Sequence, residues 1–93
     1  MNVIENIEKE NIPNLKFNRK EVLERQEDIE TRMSHLYRGL LLGNLLHEKV
    51  KIIFESADQK IYQVNTTIWS IASDFITLKG SVAIPVNSIL EVD

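Results

Sequence analysis

Between residues 49 and 92 the chain alternates apolar and polar side chains in runs too short for anything but small strands. Val50, Ile52 and Phe54 share one face of the first run, and the pattern returns at residues 76–79 and 82–84, each run bounded by turn residues. The run from residue 60 to residue 72 is too long for one straight strand. Its apolar parity switches from Tyr62, Val64, Thr66 and Ile68 to Trp69 and Ile71, which predicts a bulge or corner near residues 67–69. Pro85 interrupts pairing, Val86, Asn87 and Ser88 suit one helical turn, and the final Ile89, Leu90, Glu91 and Val92 close the circuit. The expectation is a mainly β protein: a small five-stranded antiparallel bent barrel over about residues 49–93, with Ile52, Val64, Leu78, Ile84 and Ile89 in its core.

Ahead of the barrel one long α-helix is expected over about residues 19–46. Asn18 as N-cap and Glu21 three residues later form a capping box, and Phe17 and Val22 occupy the positions of a hydrophobic staple. Lys20 and Glu24, Glu21 and Arg25, and Asp28 and Arg32 are opposite charges four residues apart. Val22, Ile29, Met33, Leu36 and Leu40 trace an apolar stripe. Residues 1–17, with scattered isoleucines and Pro13, read as a flexible arm, which leaves residues 18–93 as a single helix-plus-barrel domain.

After Met33 the helix becomes apolar nearly all round, through Leu36, Tyr37, Leu40, Leu41, Leu42, Leu45 and Leu46. Such a helix is covered on several sides. Gly39 and Gly43, four apart, allow close backbone approach at a cost of about 1 kcal/mol each relative to alanine. Three uses are open: packing within the same chain, contact with a second copy, or a helix end near Gly43 and Asn44. The surplus of leucine favours a homo-oligomer, with Leu36, Gly39, Leu40 and Gly43 as the candidate interface.

The leucine-rich helix, the five short strands and the closing Ile84-Pro85-Val86-Asn87-Ser88-Ile89 segment resemble the Sm-like and Src-homology-type barrels. With its N-terminal helix the pattern is similar to the small bacterial modulators that inhibit the termination factor Rho. The likeness covers roughly residues 35–93. It implies a helix-plus-barrel fold and a protein that acts by occupying a partner's basic nucleic-acid site. Sm proteins favour glycine in the first hairpin and before the last strand, where this chain has Ser56-Ala57-Asp58-Gln59 and Val86-Asn87-Ser88, so no functional residue is carried over.

Composition narrows the chemistry further. No cysteine is present, which removes disulfides, thiolate nucleophiles and cysteine-ligated metals together. His35 and His47 stand twelve residues apart, about a third of a turn out of line on one helix, and form no metal pair. Neither a phosphate-cradling glycine loop nor a nucleophile elbow occurs, so no enzymatic activity and no cofactor are expected. The net charge is −3, and residues 1–33 hold eight acids against six bases. That balance favours a non-enzymatic protein-interaction or regulatory module, with itself and an unidentified protein as partners. The alternative is an Sm-like RNA-binding protein whose face carries Lys51, Lys60, Tyr62 and Lys79, with Lys49, Trp69 and Phe75 interleaved. The longest apolar stretch, residues 36–46, is too short for a membrane span, and no basic-then-apolar leader opens the chain. A cytoplasmic setting is expected, without a membrane partner.

Overall fold

The computed structural model describes residues 3–93. They build a small mixed α/β domain with one long helix and seven strands in two sheets. Strand β1 (Ile4–Asn6) leads into a 3-10 turn at Lys9–Asn14, and helix α1 spans Gln26–Leu46. Then come β2 (Val50–Glu55), β3 (Ile61–Thr66), β4 (Ile68–Ile71), β5 (Phe75–Leu78) and β6 (Val82–Pro85). A second 3-10 turn at Val86–Ser88 precedes β7 (Ile89–Val92).

The first sheet runs β1-β3-β2-β7 and the second runs β4-β5-β6. All pairings are antiparallel except β1 with β3, which is parallel. The single closed barrel read from the sequence is therefore not what the chain builds. The long run breaks at Thr67, between β3 and β4, and a register shift between Ile68 and Ser70 sends its second half into the other sheet. The turn after Pro85 likewise takes β7 away from β6 and onto β2. The parity change is the sequence trace of this corner: past it Ile71 packs against the core while Trp69 stays half exposed. Ile52, Val64, Leu78, Ile84 and Ile89 are all buried.

Two further expectations are corrected. Helix α1 begins at Gln26, not near residue 19, and no side chain caps it. The capping-box residues have other partners. Asn18 donates its side-chain amide to the Ala57 carbonyl at 3.5 Å. Val22 N–H reaches the Asn87 carbonyl at 2.9 Å, and the Asn87 side chain donates to the Arg19 carbonyl at 2.6 Å. The 18–25 segment is thus laid along the turn before β7 by long-range bonds that outcompete a local cap. The helix does end at Leu46, where His47 adopts left-handed geometry (φ 55°) and donates to the Gly43 carbonyl at 3.1 Å.

The second correction concerns residues 1–17. Met1 and Asn2 lie outside the described residues, but from Ile4 onward this segment is part of the fold. Ile7 N–H bonds the Gln63 carbonyl at 3.0 Å, Ala57 N–H bonds the Lys16 carbonyl at 2.7 Å, and Phe17 packs against Phe54 at a ring separation of 5.9 Å. Ile12 is completely buried in the core. Pro13 does not exclude it, because a 3-10 turn tolerates the residue that an α-helix would reject.

Candidate functional site

The candidate oligomer interface is taken up inside the chain. Leu36, Gly39 and Gly43 are buried and Leu40 is half-buried against the core. A Cβ on Gly39 would stand 3.0 Å from Ile68 Cδ1, and one on Gly43 would stand 2.8 Å from Thr67 Cγ2 and 3.0 Å from the Ile68 carbonyl oxygen. The glycines let α1 lie directly on β4, so of the three uses open to them, packing within the chain is the one observed.

With that face covered, the opposite face of α1 is bare. Tyr37, Leu41 and Leu45 follow one another at four-residue spacing on the solvent side, with fractional exposures of 56%, 57% and 68%. Leu46 beside them is 60% exposed. The N-terminal half of the same face is polar, carrying Glu27, Glu30 and Ser34.

The residues of the alternative nucleic-acid face do not converge. Tyr62 is a core residue, stacked on Phe54 at 5.8 Å between centroids. Lys60 sits before β3, whereas Lys79 N–H bonds the Thr67 carbonyl just past its other end at 2.9 Å. A strand of six residues separates them, about 20 Å. Lys51 pairs across from Asn65 in mid-sheet and is half-buried.

Lys79 has different neighbours. Together with Lys9, Lys49, Asn6, Gln63 and Asn65 it lines a groove of about 610 Å³ beside the end of β3. Glu8 and Glu10 stand on the same rim. Next to it, sharing Thr67 and Lys79, a smaller hollow of about 190 Å³ is lined by Asn44, His47 and Trp69.

The strongest electrostatic feature lies elsewhere. Arg32, on the inner side of α1, is 4% exposed. Its two terminal nitrogens donate to the Glu21 carboxylate at 2.5 and 2.6 Å, and Nη1 also donates to the Ile89 carbonyl at 3.0 Å. Burial pushes the Glu21 carboxyl upward. The Arg32 hydrogen bonds, followed by the Leu23 amide, outweigh it and hold the group below its ordinary value. The arrangement ties the 18–25 segment, the helix and β7 together, and a bidentate guanidinium–carboxylate fork is suited to that task. The other shifted carboxyl, Asp58, is lowered first by its hydrogen bond from Ser56 in the β2–β3 hairpin. Both shifts have structural causes.

Among the described residues no group of three or more histidine, aspartate or glutamate side chains is gathered to hold a metal ion. Nor is any of their helices long and apolar enough to cross a membrane. Comparison with protein-family models, curated proteins and solved structures returns no match.

Proposed function

We propose that this chain is a non-enzymatic protein-interaction module that docks through the outward face of α1, and that a second copy of the chain is one occupant of that face. The observation that carries the reading is the exposed stripe Tyr37, Leu41, Leu45 on a helix whose other side is already packed. A large apolar stripe left in water costs solubility unless something covers it.

The stripe is symmetric about Leu41, with one large apolar residue four positions to either side. Antiparallel pairing about a two-fold axis there sets Leu41 on Leu41 and Tyr37 on Leu45, which is the self-complementarity that a two-fold interface needs. With Leu46, the exposed apolar area is on the order of 400–500 Å² per copy, so two copies together approach the ~1,000 Å² at which specific interfaces begin. The expected complex is a reversible dimer. A regulatory role follows if dimerisation competes with another protein for the same stripe.

Size-exclusion chromatography with light scattering tests it. At about 100 µM the native chain should elute with a mass approaching twice 10.8 kDa. The exposed double substitution Leu41→Glu with Leu45→Glu should return it to 10.8 kDa with an unchanged far-ultraviolet circular dichroism spectrum. A native chain that stays at 10.8 kDa throughout overturns the reading.

A further inference from the structure

We infer that the groove between the 3-10 turn at Lys9–Asn14, the loop entering β2 and the β5–β6 hairpin binds a base carrying phosphate, either a free nucleotide or one unit of a single strand. This inference does not depend on the helix face and concerns a different surface.

Elements remote in sequence are pinned together there by the backbone. Lys79 N–H donates to the Thr67 carbonyl at 2.9 Å, and the Thr67 hydroxyl reaches the Glu48 carbonyl, next to Lys49, at 3.5 Å. Lys9 arrives from the N-terminal turn and lies over Gly80, its Nζ 3.6 Å from where a Cβ would stand. Gly80 has a φ of 91°, which keeps the hairpin tip tight and bare enough for that side chain to cross it. Lys9, Lys49 and Lys79 therefore meet at one place although 30 or more residues separate each from the next. None of them forms a salt bridge among the described residues. Amide side chains of Asn6, Gln63 and Asn65 add neutral donors and acceptors along the floor.

Trp69 supplies the second half of the argument. It is 48% exposed and lines the adjoining hollow with His47 and Asn44, sharing Lys79 with the lysine groove. A tryptophan left half in water in one hollow with Lys79, with Lys9 and Lys49 in the adjoining groove, is an arrangement that stacks a base while the cations take its phosphate. Glu8 and Glu10 line the same groove and flank Lys9 in sequence, so the phosphates are expected beside Lys49 and Lys79. The chain's overall charge of −3 does not oppose a site of this size. At ordinary salt, charges beyond about 10 Å are screened, and the local balance decides.

Trp69 is the only tryptophan in the chain, so its fluorescence reports the hollow directly. The intact protein is titrated at low salt with ATP, with a short single-stranded oligouridylate, and with tripolyphosphate, which has charge but no base. Saturable quenching by ATP or the oligonucleotide, with affinity in the range of about 1–100 µM, is expected, and tripolyphosphate should quench little. Quenching by ATP identifies the free nucleotide as sufficient. Quenching by the oligonucleotide alone identifies the strand. By anisotropy of a labelled ligand, Trp69→Leu should weaken binding about 10-fold. Lys49→Gln and Lys79→Gln should each flatten the salt dependence of oligonucleotide binding by about 0.7 in log–log slope. All three positions are exposed, and circular dichroism melts verify that the variants fold. No response to any ligand up to about 1 mM overturns the inference. So does tripolyphosphate acting as well as ATP, or binding that is indifferent to the lysine substitutions.

Discussion

Replacing Glu21 and Arg32 one at a time should give unequal losses of stability, because the two ends of their ion pair sit in different surroundings. The Arg32 side chain keeps 3% of its exposure and that of Glu21 keeps 30%. Glu21→Ala strands a buried guanidinium with the Ile89 carbonyl as its remaining hydrogen-bond partner. Breaking a wholly buried pair in this way costs about 3–5 kcal/mol. Water reaches the carboxylate side of this pair, so the expected loss is smaller, ~2 kcal/mol. Arg32→Met fills the same space with apolar atoms and lets Glu21 turn outward. Its cost is about 1 kcal/mol, set mainly by the Ile89 carbonyl left without that donor. For a chain of 93 residues each kcal/mol shifts the melting temperature by roughly 4–8 °C, so thermal and urea melts resolve the two variants. The pair also has a pH signature. The folded carboxyl of Glu21 lies below its ordinary 4.5, so its stabilisation is complete above that pH and is lost as pH falls through the lower folded value. The stability gap between the native chain and Glu21→Gln should therefore be flat from about pH 6 to 8 and close in acid. Arg32→Met proving the costlier change, or a gap that widens in acid, would refute the reasoning.

The helix glycines make a second pair of unequal substitutions. Gly43→Ala places a methyl group 2.8 Å from Thr67 Cγ2 and 3.0 Å from backbone, and should destabilise by about 1–3 kcal/mol in a urea melt. Gly39→Ala crowds only the far end of Ile68, at 3.0 Å, which can swing aside, and meets Val50 at an ordinary 3.4 Å; its gain in helix propensity should bring the net change within about 1 kcal/mol of zero. Ile12→Ala, in the segment read from sequence as a loose arm, should cost about 2–4 kcal/mol, measured by the same melts. A silent Ile12 substitution would mean that this segment contributes nothing to the core.

The strands were legible in the sequence because their information is local. Alternation at residues 50–54 and 76–79 reports which side faces inward whatever the rest of the chain does, and Ile52, Val64, Leu78 and Ile84 are buried accordingly. The start of α1 was not legible, although its signals were good. Asn18, Glu21, Phe17 and Val22 carry every mark of a capping box and staple, yet Asn87, Ala57 and Arg32 claim the same groups from 11 to 69 residues away. A cap is worth about 1 kcal/mol, and a segment bonded to three other parts of the fold exceeds that. The opposite charges at Glu21 and Arg32 were visible, but helix spacing assigned Arg32 to Asp28 and Glu21 to Arg25. Ile12 was hidden for the same reason, since only the tertiary structure says that a lone isoleucine before a proline fills a gap in the core.

The candidate surfaces differ from the sequence reading by one geometric fact each. A helix that is apolar all round has two faces to cover, and its glycines mark the one that comes closest to a neighbour. Close approach favours the strand already tethered in the same chain, because β4 pays no association entropy to reach Gly43, whereas a second copy does. The bulky residues Tyr37, Leu41 and Leu45 are then the ones left for a separate molecule. The lysines obey a similar logic. Alternation puts Lys51 in mid-sheet beside its cross-strand partner, while Lys49 and Lys79 fall in turns whose direction is set by the corner at Thr67. That corner brings Lys49 and Lys79 to one groove, sets Lys79 beside Trp69, and leaves Lys60 at the other end of β3. A basic surface on an acidic chain can therefore arise from the bend of the sheet, with no clustering of charge along the sequence.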